Sequence, residues 1–160
     1  MEIERKFLID WKEIDALGLP LVKQAQSWQG YLSAATPVVR IRKRDFSDGH
    51  TDYILCIKGK LAREEIEKEL TPQEFSALEA MLPIPMIHKD YRVYRLPDGH
   101  LLEGSMVDGK FAYAEVEFAS VEEAKAFEMP AFLHKDVTED PYYSMSGYWK
   151  RQQITVSFEL

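Results

Sequence analysis

The sequence has a single cysteine and no long apolar segment. Cys56 is the one cysteine among 160 residues, so no disulfide can form within the chain, and its place in an apolar run predicts a buried thiol. No apolar stretch approaches the about 18 residues that span a bilayer, and the first residues lack the apolar core of a secretory signal. We therefore expect a cytoplasmic protein with no membrane partner.

The sequence also lacks a net positive charge and several common catalytic motifs. Its formal charge of -7 at pH 7 argues against broad binding to DNA or to an anionic membrane, so any bound anion must meet a local basic cluster. There is no His/Cys spacing for zinc, no glycine-rich phosphate loop and no Ser-His-Asp order. The four histidines are interpreted as surface or turn residues: His50, His88, His100 and His134.

What is present predicts one mainly β domain over residues 1–160. The chain is 46% apolar with no shift in composition, which suits a single core. Turn sequences such as Ser47-Asp48-Gly49 and Pro97-Asp98-Gly99 favour hairpins, so an antiparallel meander that closes on itself fits the pattern. Period-2 alternation predicts about eight strands, at residues 2–8, 28–33, 37–46, 52–59, 63–70, 87–96, 101–107 and 111–119.

Helix start signals interrupt this alternation. Thr71-Pro72-Gln73-Glu74 combines a cap, a proline at the first helical position and a reciprocal glutamate, and Ser120-Val-Glu-Glu123 repeats the box. These signals predict helices over about 72–82 and 120–128. Residues 11–19 and 141–151 are predicted as two further helices.

Several predicted strands are charged on one face and apolar on the other. For any one strand, the simplest interpretation is a face turned to water. Two features oppose it here: the charges are blocked by sign, whereas soluble surfaces intersperse them, and helices that cover the apolar face would leave the charged face inside. The same-face sets are Glu2, Glu4 and Lys6; Arg40, Arg42 and Arg44; Arg63, Glu65, Glu67 and Glu69; and Glu115 and Glu117.

A polyanion with metal ions would balance such a face. A triphosphate carries roughly four to five negative charges, and arginine and lysine are the residues that hold phosphate oxygens. Mg²⁺ and Mn²⁺ take oxygen ligands, which paired glutamates supply. The phosphate-binding candidates are Arg40, Arg42, Lys58, Arg63 and Lys89, with Lys6 a further substrate contact. The metal candidates are Glu2, Glu4, Glu115 and Glu117, followed by Glu65, Glu67 and Glu103.

At this point the chain resembles the CYTH superfamily, also called triphosphate tunnel metalloenzymes, and in particular its small bacterial members. The resemblance implies a closed eight-stranded antiparallel β-barrel with helices outside, which binds a triphosphate and one or two Mg²⁺ or Mn²⁺ ions. It also implies Lys6 as the catalytic residue for the attacking water, although the nearby carboxylates favour its charged form. The motifs occur in this order: Glu2-x-Glu4-x-Lys6, Gln29-Gly-Tyr-Leu32, Val39-Arg-Ile-Arg42, Ile57-Lys-Gly59, Arg63-x-Glu65-x-Glu67, Ile87-x-Lys89, Ala114-Glu-Val-Glu-Phe118 and Asp136-Val-Thr-Glu-Asp140.

The sequence departs from the family pattern at three places. Tyr91 stands where an inward arginine is expected, which leaves Arg92 to face outward. Ser105 stands where Glu103 should have an acidic partner, and residues 141–145 lack the usual arginine and asparagine. One phosphate contact and one metal ligand are therefore in question.

Family membership would constrain the substrate more than the reaction. We expect hydrolysis of inorganic, nucleoside or thiamine triphosphate, driven by neutralisation of charge on the leaving group. The alternatives are a class IV-type adenylate cyclase that makes cyclic AMP from ATP, a noncatalytic binder of triphosphate or polyphosphate, and an unrelated β domain. The sequence leaves open a homodimer and the physiological triphosphate.

Overall fold

The computed structural model describes residues 3–60 and 64–159. Its elements, in chain order, are β1 Ile3–Ile9, α1 Trp11–Ala16, β2 Leu21–Ser33, β3 Val38–Phe46, β4 Thr51–Lys58, β5 Glu65–Glu69, α2 Pro72–Glu79, β6 Ile87–Arg95, β7 Leu101–Val107, β8 Phe111–Phe118, α3 Val121–Ala126, β9 Lys135–Asp136, a short 3-10 helix Pro141–Tyr143 and α4 Met145–Glu159. None of the helices in these ranges is long and apolar enough to cross a membrane.

The strands form one large sheet in the order β5-β4-β3-β2-β6-β7-β8-β1-β9. The ladders β3–β4, β4–β5, β6–β7, β7–β8, β1–β8 and β1–β9 are all antiparallel. The predicted mainly β, antiparallel fold is therefore confirmed. Hydrogen bonds between the described residues do not join the outer strands β5 and β9, so closure of the sheet into a barrel stays a prediction.

Two strand predictions need correction. β2 begins seven residues before the predicted strand at 28–33, because its early inward positions are the small residues Ala25 and Ser27, each 2% exposed, which a search for alternating large apolar residues passes over. Within residues 3–60 and 64–159 the sheet has nine strands rather than eight, since residues 135–136 make a two-residue ladder with β1.

The helices begin where the capping signals predict. Thr71 Oγ1 accepts from Glu74 N at 3.0 Å, and Glu74 Oε1 accepts from Thr71 N at 2.9 Å. Ser120 likewise caps α3, but the Glu123 carboxylate accepts from the Ala119 amide instead of closing the box on Ser120. Helices α1, α2 and α3 each end sooner than predicted, and the predicted helix over 141–151 divides into the 3-10 helix and the longer α4.

The chain folds as two compact units, residues 1–26 with 89–139 and residues 27–88 with 140–160. In the first unit the apolar sheet face packs on α1 and α3, with Phe7, Ile14, Leu102, Val116 and Phe118 each at most 5% exposed. Burying each of these side chains stabilises the fold by about 1.5–3 kcal/mol.

In the second unit, helix α2 covers the apolar face of the sheet. Phe75 of this helix is 3% exposed and packs in one cluster with Ile41 and Leu70. Its ring also lies 5.2 Å from that of Tyr53. In each unit, therefore, helices cover the apolar side of the strands, as the sequence predicts.

Two turns share the sequence Asp-Gly-His but make different contacts. In both, the histidine amide donates to the preceding aspartate and the glycine has a positive φ, 98° at Gly49 and 94° at Gly99. His50 contacts Asp48 and stacks on Phe46, so its contacts stay local. His100 reaches further, because its Nε2 lies 2.7 Å from Glu123 Oε1 on α3 while its Nδ1 lies 2.8 Å from Asp98 Oδ2.

These contacts make stability depend on pH. The hydrogen bond to Asp98, partly opposed by burial and supported by Glu123, raises the pKa of His100. A raised pKa means that the stabilisation is full below the ordinary histidine pKa and is lost as the pH rises through the folded-state pKa. We expect His100→Gln to lower the free energy of unfolding by about 1 kcal/mol at about pH 5.5 and by less at about pH 8.5.

Urea unfolding of both proteins at the two pH values measures this difference. His50→Gln is the matched control, since it removes the same residue from a turn with the same sequence. An equal loss of stability at the two pH values for His100→Gln would contradict the assignment.

Candidate functional site

The sheet face of the first unit opposite its apolar core carries a row of charges. The register places Glu4 of β1 opposite Glu117 of β8, and Lys6 opposite Glu115. Glu115 in turn lies opposite Glu103 of β7. Residues directly opposite each other in an antiparallel pair share a face, so the structure brings together five of the predicted site residues.

A tyrosine joins the two predicted lysines on this face. Lys89 Nζ donates to Tyr113 Oη at 2.6 Å, and Lys6 Nζ lies 4.0 Å from the centroid of the Tyr113 ring. Lys89 is 9% exposed and Tyr113 is 2% exposed. Both ammonium groups thus meet one buried aromatic side chain.

Tyr91 occupies a defined place on the same face. Its hydroxyl donates to Glu103 Oε1 at 2.5 Å, and the register sets it opposite Ser105, which is 4% exposed. The hydroxyl therefore binds one oxygen of a predicted metal ligand. Position 105 gives Glu103 no acidic neighbour, and the neutral hydroxyl group of Tyr91 donates to Glu103 instead.

Arg92 lies on the opposite, covered face of the sheet, as predicted. Its Nη2 donates to Asp90 Oδ2 at 3.1 Å, and its guanidinium carbon lies 4.8 Å from the centroid of the Trp11 ring. These contacts fix it to the covered side of β6. Arg92 therefore does not replace the arginine that the family pattern places at 91.

The charged sheet face of the second unit carries three arginines from β3. Arg44 is neutralised, since its Nη2 and Nε donate to the Asp52 carboxylate at 2.8 and 3.2 Å. In contrast, the buried Nε atoms of Arg40 and Arg42 find no hydrogen-bond partner among the described residues. Burial, together with the positive charges of Arg40 and Arg44, lowers the pKa of Arg42 to about 10. Buried Nε donors without a described partner, on guanidinium groups that repel each other, are suited to an anion.

The other predicted residues of this unit lie on the same face. The register sets Lys58 of β4 opposite Glu65 of β5, and Cys56 opposite Glu67. Lys58, Glu65 and Glu67 are exposed. Cys56 is buried as predicted, at 1% exposure, but its thiol belongs to the charged face, where it donates to Glu65 Oε1 at 3.2 Å. Burial raises the pKa of this thiol.

A buried polar pair completes this face of the second unit. Gln29 Nε2 donates to Tyr31 Oη at 3.0 Å, and the two residues are 1% and 5% exposed. Burial raises the pKa of Tyr31, against an opposing effect of Arg40. Its phenol is thus kept neutral close to the arginines, and Gln29 Oε1 has no hydrogen-bond partner in the described part of the chain.

The donor set suits a hard divalent cation. Carboxylates that lie directly opposite each other repel, and Glu4 with Glu117 and Glu103 with Glu115 make two such pairs; all-oxygen ligands of this kind are those of Mg²⁺ and Mn²⁺. Within residues 3–60 and 64–159, no group of three or more acidic, histidine or cysteine side chains is arranged to hold a metal. The predicted ligand Glu2 and the predicted phosphate contact Arg63 lie outside the described residues.

The sequence predictions missed the tyrosines of both faces. Tyr113 stands two residues before Glu115 and therefore shares its face, and Tyr31 occurs in a motif that the resemblance includes. The alternation of side chains along the strand was thus enough to place Tyr113 on the same face as Glu115. What parity does not give is the distance at which side chains from different strands meet. His88, predicted as a surface or turn residue, lies half-buried in β6 with its ring 5.4 Å from that of Trp28.

Neither a protein-family model nor a curated protein matches the sequence. Several solved structures do match. The chain is 28% identical to the inorganic triphosphatase NE1496, with a TM-score of 0.64 over 92% of this chain and 93% of that one. It is 19% identical to the PH1819 protein from Pyrococcus horikoshii OT3, with a TM-score of 0.70 over 97% and 99% of the two chains.

A third similar structure is a putative adenylyl cyclase from Hippeastrum whose dominant activity is that of a triphosphatase. It is 20% identical to this chain, with a TM-score of 0.53 over 78% of this chain and 83% of that one. At 19% and 20% identity, the archaeal and plant structures show a shared fold alone. The similarity to NE1496 and the fold shared with the other two structures support the resemblance to the CYTH superfamily that the ordered motifs of the sequence indicate.

Proposed function

We propose that the protein hydrolyses a triphosphate with the help of a divalent cation, Mg²⁺ or Mn²⁺. The observation that carries the proposal is the electrostatic state of the β3 face, where the buried Nε donors of Arg40 and Arg42 have no partner within residues 3–60 and 64–159. An anion rich in oxygen atoms would satisfy both the donors and the charge. The similarity to an inorganic triphosphatase supports the triphosphate as that anion.

In this proposal each unit contains its own candidate phosphate contacts. Lys6 and Lys89 act in the first unit, and Arg40, Arg42 and Lys58 act in the second, with Arg63 as a further candidate outside the described residues. Arginine offers two-pronged hydrogen bonds to phosphate oxygens, whereas lysine acts as a point charge. Arg44 is excluded, because Asp52 already binds its guanidinium group.

The metal ligands in this proposal are the acidic residues of β1 and β8. Glu4, Glu115 and Glu117 belong to the described residues and Glu2 does not; Glu65, Glu67 and Glu103 are the further candidates. When bound, the cation would supply positive charge to the phosphate oxygens and reduce the cost of charge on the leaving group. Bringing the cation between facing carboxylates would also remove their mutual repulsion.

The residues of the chain then perform three tasks. Arginines and lysines hold the triphosphate in one orientation, which favours in-line attack by water on the terminal phosphate. Lys6 donates to a phosphate oxygen rather than taking a proton from water, because the carboxylates of Glu4 and Glu115 on its face favour an ammonium group. Stabilisation of negative charge in the transition state supplies most of the acceleration.

Product analysis tests the reaction itself. We expect orthophosphate from inorganic triphosphate, ATP or thiamine triphosphate in the presence of Mg²⁺ or Mn²⁺. Pyrophosphate with cyclic AMP from ATP would show a cyclase instead. Tight binding of tripolyphosphate without turnover would show a noncatalytic binder, as Tyr91 and Ser105 in place of the family's charged residues would allow.

Glu4→Gln tests the metal assignment. The amide keeps the size of the side chain but removes its charge, so we expect metal-dependent phosphate release to fall at least about 100-fold, as for loss of a direct ligand. Phosphate release is measured over a range of Mn²⁺ concentrations. Glu122→Gln, on the exposed first turn of α3 in the same unit, is the control and should behave as the wild type. Full activity of Glu4→Gln would refute the assignment.

A pair of arginine variants tests the anion site. Because burial and the neighbouring arginines disfavour the charge of Arg42, Arg42→Met should raise the free energy of unfolding by about 1 kcal/mol in buffer free of phosphate. Arg44→Met should lower it by about 1–2 kcal/mol, because Asp52 loses its partner. Chemical unfolding measures both values.

The same two variants should respond differently to tripolyphosphate. A ligand that binds only the folded state raises the melting temperature, so the wild type and Arg44→Met should gain stability on its addition. Arg42→Met should gain much less. Equal gains for Arg42→Met and the wild type would contradict a phosphate contact at Arg42.

A further inference from the structure

We infer that Tyr31 is a further substrate-binding residue of the second unit, whose hydroxyl group donates a hydrogen bond to a phosphate oxygen beside Arg40 and Arg42. In the same inference, Gln29 is the positioning residue that orients this hydroxyl group. The inference rests on the proposed function, because it names a further contact of the triphosphate. The sequence resemblance includes both residues in one motif without a role for either.

Tyr31 lies on the same face of the second unit as the arginines of β3. Leu32, the next residue, packs on the opposite face in the cluster around Ile41, and successive side chains of a strand alternate between the faces. Strands β2 and β3 are neighbours in the sheet. Burial raises the pKa of Tyr31 overall, while the charges of Arg40 and Arg42 act in the opposite direction. The phenol therefore keeps its proton at neutral pH, close to two positive charges.

The hydrogen bonding of Tyr31 leaves its donor for a ligand. Its oxygen accepts from Gln29 Nε2 at 3.0 Å, which is the one side-chain hydrogen bond of either residue in the described part of the chain. A phenol hydroxyl group both accepts and donates. Because Gln29 occupies one side of the oxygen, the proton turns to the other side, where it needs an acceptor. A phosphate oxygen supplies one, as it does for the buried Nε donors of Arg40 and Arg42.

Packing holds the ring of Tyr31 in place. The residue is 5% exposed, and its ring centroid lies 5.8 Å from that of Trp149 of helix α4, which is 1% exposed. A ring enclosed in this way keeps its hydroxyl oxygen in position before any ligand binds. Contacts that are ordered in advance reduce the entropy that binding must remove.

The amide of Gln29 is better explained by this role than by folding. Gln29 is 1% exposed, and its Oε1 has no hydrogen-bond partner within residues 3–60 and 64–159. Burying an amide oxygen without a hydrogen bond is unfavourable, so methionine would suit a purely structural position at least as well. The N–H group, in contrast, sets the direction of the Tyr31 proton and strengthens it as a donor, because hydrogen bonds in a chain polarise one another.

Two substitutions test the two roles. Tyr31→Phe keeps the ring and removes the donor, so we expect tripolyphosphate binding to weaken about 10-fold. Gln29→Met keeps the hydroxyl group without its orientation, so binding should weaken about 3-fold, and the melting temperature of the unliganded protein should be no lower than that of the wild type. Titration calorimetry in buffer without divalent metal measures the affinities.

Tyr53→Phe is the control. It removes a hydroxyl group from the apolar face of the same unit, where the ring packs on Phe75, and it should leave the affinity unchanged. A double-mutant cycle then tests whether Gln29 acts through Tyr31. In the Tyr31→Phe background, Gln29→Met should change the affinity by less than about 1.5-fold.

Wild-type affinity in Tyr31→Phe would overturn the inference, even if the melting temperature of this variant fell. An equal loss from Gln29→Met with and without the Tyr31 hydroxyl group would overturn the positioning role, since Gln29 would then contact the phosphate itself. These measurements need no turnover, so they separate the two proposals. A wild-type protein that binds tripolyphosphate but hydrolyses no triphosphate would refute the proposed function alone. Failure of the wild type to bind tripolyphosphate would refute both.

Discussion

The two faces of each strand cannot change places, and the rest of the structure depends on this constraint. Because side chains alternate with a period of two, burying Phe7 and Ile9 beneath the helices of the first unit turns Glu4 and Lys6 to the other face of the sheet. In the second unit, Ile41 packs with α2 and turns Arg40 and Arg42 the other way. Apolar packing thus decides where the charges lie.

The charged faces disfavour folding, whereas the apolar cores stabilise the folded state. Carboxylates repel across the β1–β8 and β7–β8 ladders, and two arginines have buried Nε donors that meet no partner in the described part of the chain. Each such feature disfavours folding in the absence of ligands. The protein tolerates them because the apolar rows on the other side of the same strands are closely packed.

Much of the fold could be predicted because its signals are local. The Thr71 cap, the Asp-Gly turns and the strand alternation each depend on a few adjacent residues, and the strands and helices lie close to their predicted positions. The faces of Arg40 and Glu115 follow from parity alone. The early part of β2 could not be found, because Ala25 and Ser27 are buried by contacts with distant residues rather than by their own hydrophobicity.

The contacts within the site were harder to predict than the residues that belong to it. Parity places Tyr113 and Glu103 on the functional face, but only the assembled sheet shows that Tyr113 meets two lysines and that Tyr91 binds Glu103. The same holds for Cys56, whose apolar sequence neighbours indicate a hydrophobic environment while its thiol donates to Glu65. In each case the side chains that meet come from strands far apart in the sequence or from opposite sides of a hairpin.

The position of strand β5 affects whether separate molecules of this protein can pair with each other. It lies at one end of the strand order, all five of its residues are exposed, and Ile66 is 64% exposed. An exposed edge strand with a large apolar side chain can pair with the strand of another chain and start aggregation. Glu65, Glu67 and Glu69 line one side of this strand, and repulsion between two such acidic rows keeps neighbouring molecules from adding their own strands.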